Sequence, residues 1–94
     1  MPEAVSLAPD VVLRVINGEA LLLKLGDEDV FALNDTGTRI VQLIAEGLDL
    51  NQVLNTLHQE YGVEPPKLQQ AVEDLVDALL SRGLVVRAEA NPGE

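Results

Sequence analysis

The spacing of apolar residues changes in the middle of the chain. Residues 30–33 (VFAL) form a short run of β-branched, aromatic and aliphatic side chains, which is typical of a strand. From Ile40 onward, the apolar residues Ile40, Leu43 and Ile44 have the i, i+3, i+4 spacing of a helix face. Residues 34–37 (NDTG), which lie between them, have side chains that cap helix N-termini. The pattern therefore predicts a strand that leads into a helix through a short polar turn.

Two further apolar runs precede this strand. Val11–Ile16 (VVLRVI) and residues 20–25 (ALLLKL) flank Asn17-Gly18, which is a strong hairpin signal. Residues 26–29 (GDED) form a second polar turn before the strand at residues 30–33. These runs predict a three-stranded antiparallel meander. Residues 1–10 carry few strong signals apart from two prolines, and are predicted to be an N-terminal arm with an irregular course.

Three helices are predicted downstream of the strands. They cover residues 36–46, Leu50–Tyr61 and residues 65 to about 82, and glycines at positions 47, 62 and 83 follow their ends. Residues 84–86 either add a last short strand or pack back on the core, and residues 87–94 are predicted to be a flexible tail. The expected fold is α+β, with a three-stranded antiparallel sheet followed by three helices in one domain at residues 11–86.

The apolar face of the third helix is wider than one-sided packing requires. A narrow stripe of Leu68, Val72, Leu75 and Leu79 is flanked by Ala71 and Ala78 on one side and by Val76 and Leu80 on the other. At roughly 100° per residue the apolar sector spans about 200°, whereas a helix that packs on one side needs about 100°. Either this helix is central and contacts neighbours on two sides, or the surplus faces an open groove where a partner binds.

Charge and composition narrow the class of partner. The chain has 94 residues, with 16 acidic and 6 basic side chains and a net charge of −10, which disfavours nucleic acid and anionic membranes. This charge either keeps a small domain soluble or helps to recruit a partner with basic segments. There is no cysteine, no apolar run near the roughly 20 residues that span a bilayer and no signal-peptide pattern, so we expect a cytoplasmic protein.

No set of residues suggests catalysis. His58 is the only histidine, and a lone histidine without cysteine makes a poor metal site, so we expect it to face solvent on the second helix. We expect no metal, no cofactor and no enzymatic activity. A binding module is the remaining class, and the strand at residues 30–33 is the candidate edge for an extended peptide.

A resemblance to a known family agrees with this interpretation. It rests on an ordered set of residues: Phe31-Ala32-Leu33-Asn34, Gly37, Ile40, Leu43, Gly47, Val53, Leu57, Tyr61 and Gly83-Leu84-Val85. In this set the chain resembles the PqqD-like family, also known as RiPP precursor peptide recognition elements. The resemblance covers roughly residues 11–86. It implies a winged helix-turn-helix arrangement of three strands and three helices.

The resemblance implies peptide recognition without catalysis. Such domains bind the leader segment of a ribosomally made precursor peptide and deliver it to a modifying enzyme or a leader peptidase. The leader adds as a strand to the third strand and lies against the third helix. The expected peptide-binding residues here are Asp29, Val30, Phe31, Ala32 and Leu33, together with Val72, Val76 and Leu80; the three helix residues come from the helical projection and not from the resemblance.

The pathway is a separate expectation. Members of the family from the pyrroloquinoline quinone pathway typically have a Pro-Glu pair before the third strand, whereas this chain has residues 26–29 (GDED) there. In this segment the chain is more similar to the discrete recognition proteins of lasso peptide pathways. We therefore favour a lasso peptide pathway. The alternatives are a peptide chaperone of the quinone pathway and a winged-helix transcriptional regulator, although the helices contain few basic residues.

Overall fold

The computed structural model describes residues 4–26 and 30–87 of the chain. Its elements in chain order are β1 (Val5–Leu7), β2 (Val11–Ile16), β3 (Glu19–Lys24), β4 (Val30–Ala32), α1 (Asp35–Ala45), α2 (Leu50–Tyr61), α3 (Pro65–Ser81) and β5 (Val85–Arg87). The strands β2, β3 and β4 form an antiparallel sheet in that order, and β1 pairs with β5 in a separate two-stranded ladder. The predicted sheet of three strands followed by three helices is confirmed.

The β2–β3 hairpin has the tight turn that its sequence predicts. Ile16 pairs with Glu19, so the loop contains only Asn17 and Gly18, and both have positive φ angles of 54° and 82°. Asparagine and glycine tolerate this left-handed conformation, which matches the twist of the two strands. The turn therefore fixes the register, and with it the side chains that face the helices.

One face of the sheet packs on the helices. Leu22 of β3 is fully buried and lies opposite Leu13 of β2 and Phe31 of β4, so these three side chains share the helix-facing side. The core below them is aliphatic, and its largest fully buried side chains are Leu22, Ile40, Ile44, Leu50, Leu57, Leu79, Val41, Val53, Val72, Val76 and Val85. All three helices thus contribute to one core.

The junction between β4 and α1 is held by two side-chain hydrogen bonds. Asn34 caps α1, and its Oδ1 accepts from the backbone N–H of Gly37 at 2.8 Å. Thr38 Oγ1 accepts from the backbone N–H of Ala20 at 2.8 Å, and both residues are buried. The N–H of Leu33 donates to the carbonyl of Ala20 at 2.9 Å. The first turn of α1 is therefore fixed to β3 as well as to β4.

We expect Thr38→Val to destabilise the domain by about 1–3 kcal/mol, because the shape is kept while the buried N–H of Ala20 loses its acceptor. Thr38→Ser keeps the hydroxyl and should cost less, about the value of one buried methyl group. Urea denaturation of the three proteins measures the difference. A valine variant as stable as the serine variant would show that this hydrogen bond contributes nothing.

The helix boundaries agree with the sequence signals to within about one residue. Asp49 and Gln52 form a capping box at the start of α2, and Gly62 ends it in the left-handed conformation with a φ of 67°. Helix α1 begins at Asp35 and not at residue 36, because Asn34 is the capping residue. Helix α3 ends at Ser81, with Arg82 as its C-cap.

The N-terminal region differs from the prediction. An irregular arm was expected over residues 1–10, but Val5–Leu7 form β1 and pair with Val85–Arg87. Val5 and Ala8 are buried. Three residues are too few for a strand pattern to be evident, and the partner strand lies at the other end of the sequence. The boundaries at residues 10 and 86 remain a prediction, and residues 88–94 of the predicted tail lie outside the described residues.

An exposed ion pair joins the first two helices. Arg39 of α1 donates to both carboxylate oxygens of Glu60 on α2, at 2.9 and 2.6 Å. These hydrogen bonds lower the pKa of the Glu60 carboxyl and raise the pKa of Arg39. Both side chains are partly exposed, so the pair contributes little beyond orienting the two helices.

In the part of the chain that the structure describes, no helix is long and apolar enough to cross a membrane.

Candidate functional site

The strand β4 is an edge of the sheet and has backbone groups available for pairing. The hydrogen bond from Leu33 N–H to Ala20 O makes this a hydrogen-bonded pair of the β3–β4 ladder. Hydrogen-bonded and non-hydrogen-bonded pairs alternate in an antiparallel ladder, so Phe31 also directs its N–H and C=O toward β3. Val30 and Ala32 then direct theirs away from β3, toward an edge where the described residues place no further strand. An extended chain can pair with these groups.

A groove of about 390 Å³ runs along this edge. One wall is β4 with the start of α1, and the opposite wall is one side of α3. The described residues that line it are Phe31, Ala32, Leu33, Asn34, Thr36, Gly37, Ile40, Ala71, Asp74, Leu75 and Ala78. Asp74 is the only charged residue among them. The groove thus combines an unpaired backbone edge with an apolar surface, which is what a peptide with alternating apolar side chains requires.

Two of the α3 residues that line the groove are alanines, which have small side chains. Ala71, Leu75 and Ala78 have the i, i+4, i+7 spacing of one helix face, and all three line the groove. Alanine at two of these positions lets the backbone of a bound chain approach the helix. The apolar sector of α3 is wide because one part packs on the core and the adjoining part forms this wall. The second of the two interpretations of that sector therefore agrees with the geometry.

The floor of the groove depends on a glycine in the first turn of α1. A Cβ atom at Gly37 would lie 3.1 Å from Leu33 Cδ2 and 3.2 Å from Asn34 Oδ1. These separations are too short for an ordinary contact, so a larger residue would push against the floor and against the capping side chain. Glycine at this position keeps both the floor and the helix cap in place.

None of the three predicted site residues on α3 lines the groove. Val72 and Val76 are completely buried in the core, and neither lines the groove. Leu80 is half-buried, packs against the core and is also absent from the lining. The prediction placed the open side of the helix at Val76 and Leu80, whereas the structure places it at Ala71 and Ala78. A helical projection gives the width of an apolar sector, but not the side on which neighbouring elements pack.

The predicted strand residues lie where the sequence placed them, with one exception. Phe31, Ala32 and Leu33 line the groove, and Val30 lies at the same edge with 49% of its surface exposed. Asp29 lies outside the described residues. Sequence reasoning missed Gly37, Ala71, Leu75 and Ala78 as lining residues. For Ala71 and Ala78, the available signal was their small size on one flank of the wide apolar sector of α3.

The remaining described surface has no evident site for a metal ion. His58 is exposed on α2, and its Nδ1 lies 2.8 Å from the carbonyl oxygen of Val63. Among the described residues, no three or more His, Cys, Asp or Glu side chains are grouped so that they could hold a metal ion. The groove along β4 is therefore the feature of the described chain best suited to binding.

Comparisons with known proteins agree with this fold. A family model described as "Coenzyme PQQ synthesis protein D (PqqD)" matches residues 19–85. The solved structure described as "TbiB1 in Complex with the TbiA(beta) Leader Peptide" has 27% identity and a TM-score of 0.80, and the match covers 94% of this chain and 99% of that one. A second, described as "Lasso peptide synthetase B1 complexed with the leader peptide", has 27% identity and a TM-score of 0.79, with coverage of 87% and 96%. No curated protein matches the chain.

Proposed function

The chain belongs to the PqqD family, and we propose that it binds the leader segment of a ribosomally synthesised precursor peptide and presents it to a modifying enzyme or leader peptidase. The observation that carries the proposal is the groove, in which the unpaired backbone of β4 faces an apolar wall of α3. The two similar solved structures, each described as a complex with a leader peptide, support the proposal that the bound partner is a leader peptide.

In this proposal the leader adds to β4 as a fourth strand. The N–H and C=O groups of Val30 and Ala32 pair with the leader backbone, which supplies affinity with little dependence on sequence. Alternate leader side chains then point toward the helices, on the side of Phe31, and enter the groove. The groove accepts apolar side chains between Leu33 on one wall and Leu75 and Ala78 on the other. We propose these residues as the peptide-binding site in place of Val72, Val76 and Leu80.

The protein acts in this proposal as an adaptor and not as an enzyme. Among the described residues that line the groove, Asp74 is the only charged one, and they include no histidine and no pair of hydroxyl groups that suggests acid–base or nucleophilic chemistry. The reaction on the precursor would be carried out by a separate enzyme. We place this activity in the cytoplasm, where ribosomal precursors are made.

A lasso peptide pathway is the assignment we favour. It is supported by the solved structure described as a lasso peptide synthetase B1 and by the absence of a Pro-Glu pair in residues 26–29. A role as a peptide chaperone in quinone synthesis is the second candidate, because the matching family model is described as a protein of coenzyme PQQ synthesis. Both roles use the same site and differ in the precursor. A role as a transcriptional regulator has weaker support, since a net charge of −10 opposes DNA binding.

Titration of a fluorescently labelled leader peptide tests the proposal. The probe is the N-terminal segment of a short precursor encoded beside this gene, and the expected result is saturable binding followed by fluorescence anisotropy. If no neighbouring precursor binds while the protein is folded, the proposed function is wrong. The identity of the precursor that binds also separates the two pathways.

We expect Ala78→Leu to weaken leader binding by at least about tenfold, because the larger side chain occupies the groove between α3 and β4. The matched control is Asp77→Leu, which places the same side chain on the exposed side of the same helix, away from the groove. Both variants should keep the thermal midpoint of the wild type to within a few degrees. Equal affinities of the two variants would show that the leader does not lie against this wall.

A further inference from the structure

Among the described residues, a basic side chain lies against one residue of the groove lining, although the protein as a whole is strongly acidic. The guanidinium carbon of Arg82 lies 5.0 Å from the centre of the Phe31 ring, and Phe31 lines the groove. A cation over an aromatic face at this distance is attracted by the ring. Arg82 follows Ala71, Leu75 and Ala78 at the i+11 position, so it continues the same face of α3 beyond the last helical residue.

A second cation lies at the same end. Lys24 Nζ donates to the carbonyl of Gly83 at 3.2 Å, next to Arg82 in the chain. This contact holds the ammonium group near the C-terminus of α3, where the helix dipole favours positive charge. Two of the six basic residues of the chain thus lie near the C-terminal end of α3, and one of them, Arg82, lies against Phe31.

The α3 wall carries the opposite charge further along. Asp74 lines the groove, and its Oδ1 accepts a hydrogen bond from Gln70 Nε2 at 2.9 Å, which orients the carboxylate. Asp74 and Arg82 are eight residues apart, which corresponds to about 12 Å along a helix. An extended chain covers this length in about four residues. Residues four apart in a strand lie on the same face, so both charges can meet groove-facing side chains of one bound peptide.

We propose that Arg82 and Asp74 are specificity-determining residues that recognise a peptide with an acidic and a basic side chain four residues apart. This inference rests on the proposed function and names the class of peptide that the groove prefers. The acidic side chain meets Arg82 beside Phe31, and the basic side chain meets Asp74. A strand that continues the antiparallel order of the sheet would carry the basic residue on the N-terminal side of the acidic one. The pair of charges then sets both the direction and the register of the bound peptide, which the backbone of β4 alone does not.

The test uses a displayed library of random twelve-residue peptides, so that no natural precursor is needed. Selection against the wild-type protein should enrich peptides with a basic residue followed four positions later by an acidic residue. For a selected peptide, Arg82→Glu should lower the affinity about threefold to tenfold, and replacing the acidic peptide residue by lysine should restore it. Asp74→Lys should have the corresponding effect at the basic position.

Matched controls change the net charge by the same amount elsewhere. Arg14→Glu on β2 and Asp77→Lys on the exposed side of α3 should leave the affinity within about twofold of the wild type, since neither residue lines the groove. Arg82→Lys should keep the charge preference. These controls separate a local contact from a general effect of net charge.

The results that would contradict this inference differ from those that would contradict the proposed function. If the enriched peptides lack a charge preference but their binding is lost in Ala78→Leu, the groove binds peptides and the charge inference is wrong. If Arg82→Glu and Arg14→Glu weaken binding equally, the inference is also wrong, because only net charge matters. If neither the library nor the leader of a neighbouring precursor yields binding to the groove, both proposals are wrong.

Discussion

The Val76→Asp variant should be severely destabilised. Val76 is completely buried among aliphatic side chains of the core, and a carboxylate there would have neither water nor a partner. The loss of packing together with the buried charge should cost at least about 4 kcal/mol. A domain of this size has a total stability of roughly 5–15 kcal/mol, so the substitution removes a large part of it. Far-ultraviolet circular dichroism and urea denaturation measure the effect.

The control for this prediction is Ala78→Asp, two residues further along the same helix. Ala78 is half-exposed in the wall of the groove, so its carboxylate would remain in contact with water. We expect this variant to stay folded, with a loss of about 1 kcal/mol at most from helix propensity, and to bind an apolar leader poorly. A Val76→Asp protein with wild-type stability and impaired leader binding would instead place Val76 in the groove, as the sequence alone suggested.

The contrast between Val76 and Ala78 shows which part of the site could be predicted from the sequence. The strand at residues 30–33, the cap at Asn34 and the helices follow from local signals, because turn residues and periodicity act within a few positions. The side of α3 that faces the groove depends on how the helix packs against the sheet and α2, which is a tertiary property. Periodicity therefore predicted a surplus of apolar surface but placed it on the wrong flank.

The strand β1 was missed for a related reason. Val5–Leu7 pair with Val85–Arg87 across almost the whole sequence, and three residues do not show an alternation that can be distinguished from chance. The last run, residues 84–86, had been left open between a strand and a packed segment, and the strand is confirmed at Val85–Arg87. Pairings between short segments far apart in sequence are decided by the assembled core, in which Val5 and Val85 are both buried.

The free edge of β4 can be tested by a substitution that the native sheet should tolerate. We expect Ala32→Pro to weaken leader binding about tenfold to a hundredfold, because proline removes the N–H that points away from β3 and places its ring where the leader backbone would pair. The stability should change little, since this N–H takes no part in the β3–β4 ladder and proline is accepted on edge strands. Titration of the labelled leader, with a urea denaturation curve for each protein, measures both effects.

Phe31→Pro, at the neighbouring position, should destabilise the domain, in contrast to Ala32→Pro. The N–H of Phe31 points toward β3, so proline there removes a hydrogen bond of the native ladder and should destabilise the domain. Ala32→Val keeps the N–H and should bind the leader with nearly wild-type affinity. If Ala32→Pro binds as well as Ala32→Val, the leader does not pair with β4, and the groove must hold it by side-chain contacts alone. A loss of binding in the folded Ala32→Pro protein, with binding retained in Ala32→Val, would assign the affinity to the backbone of one short strand.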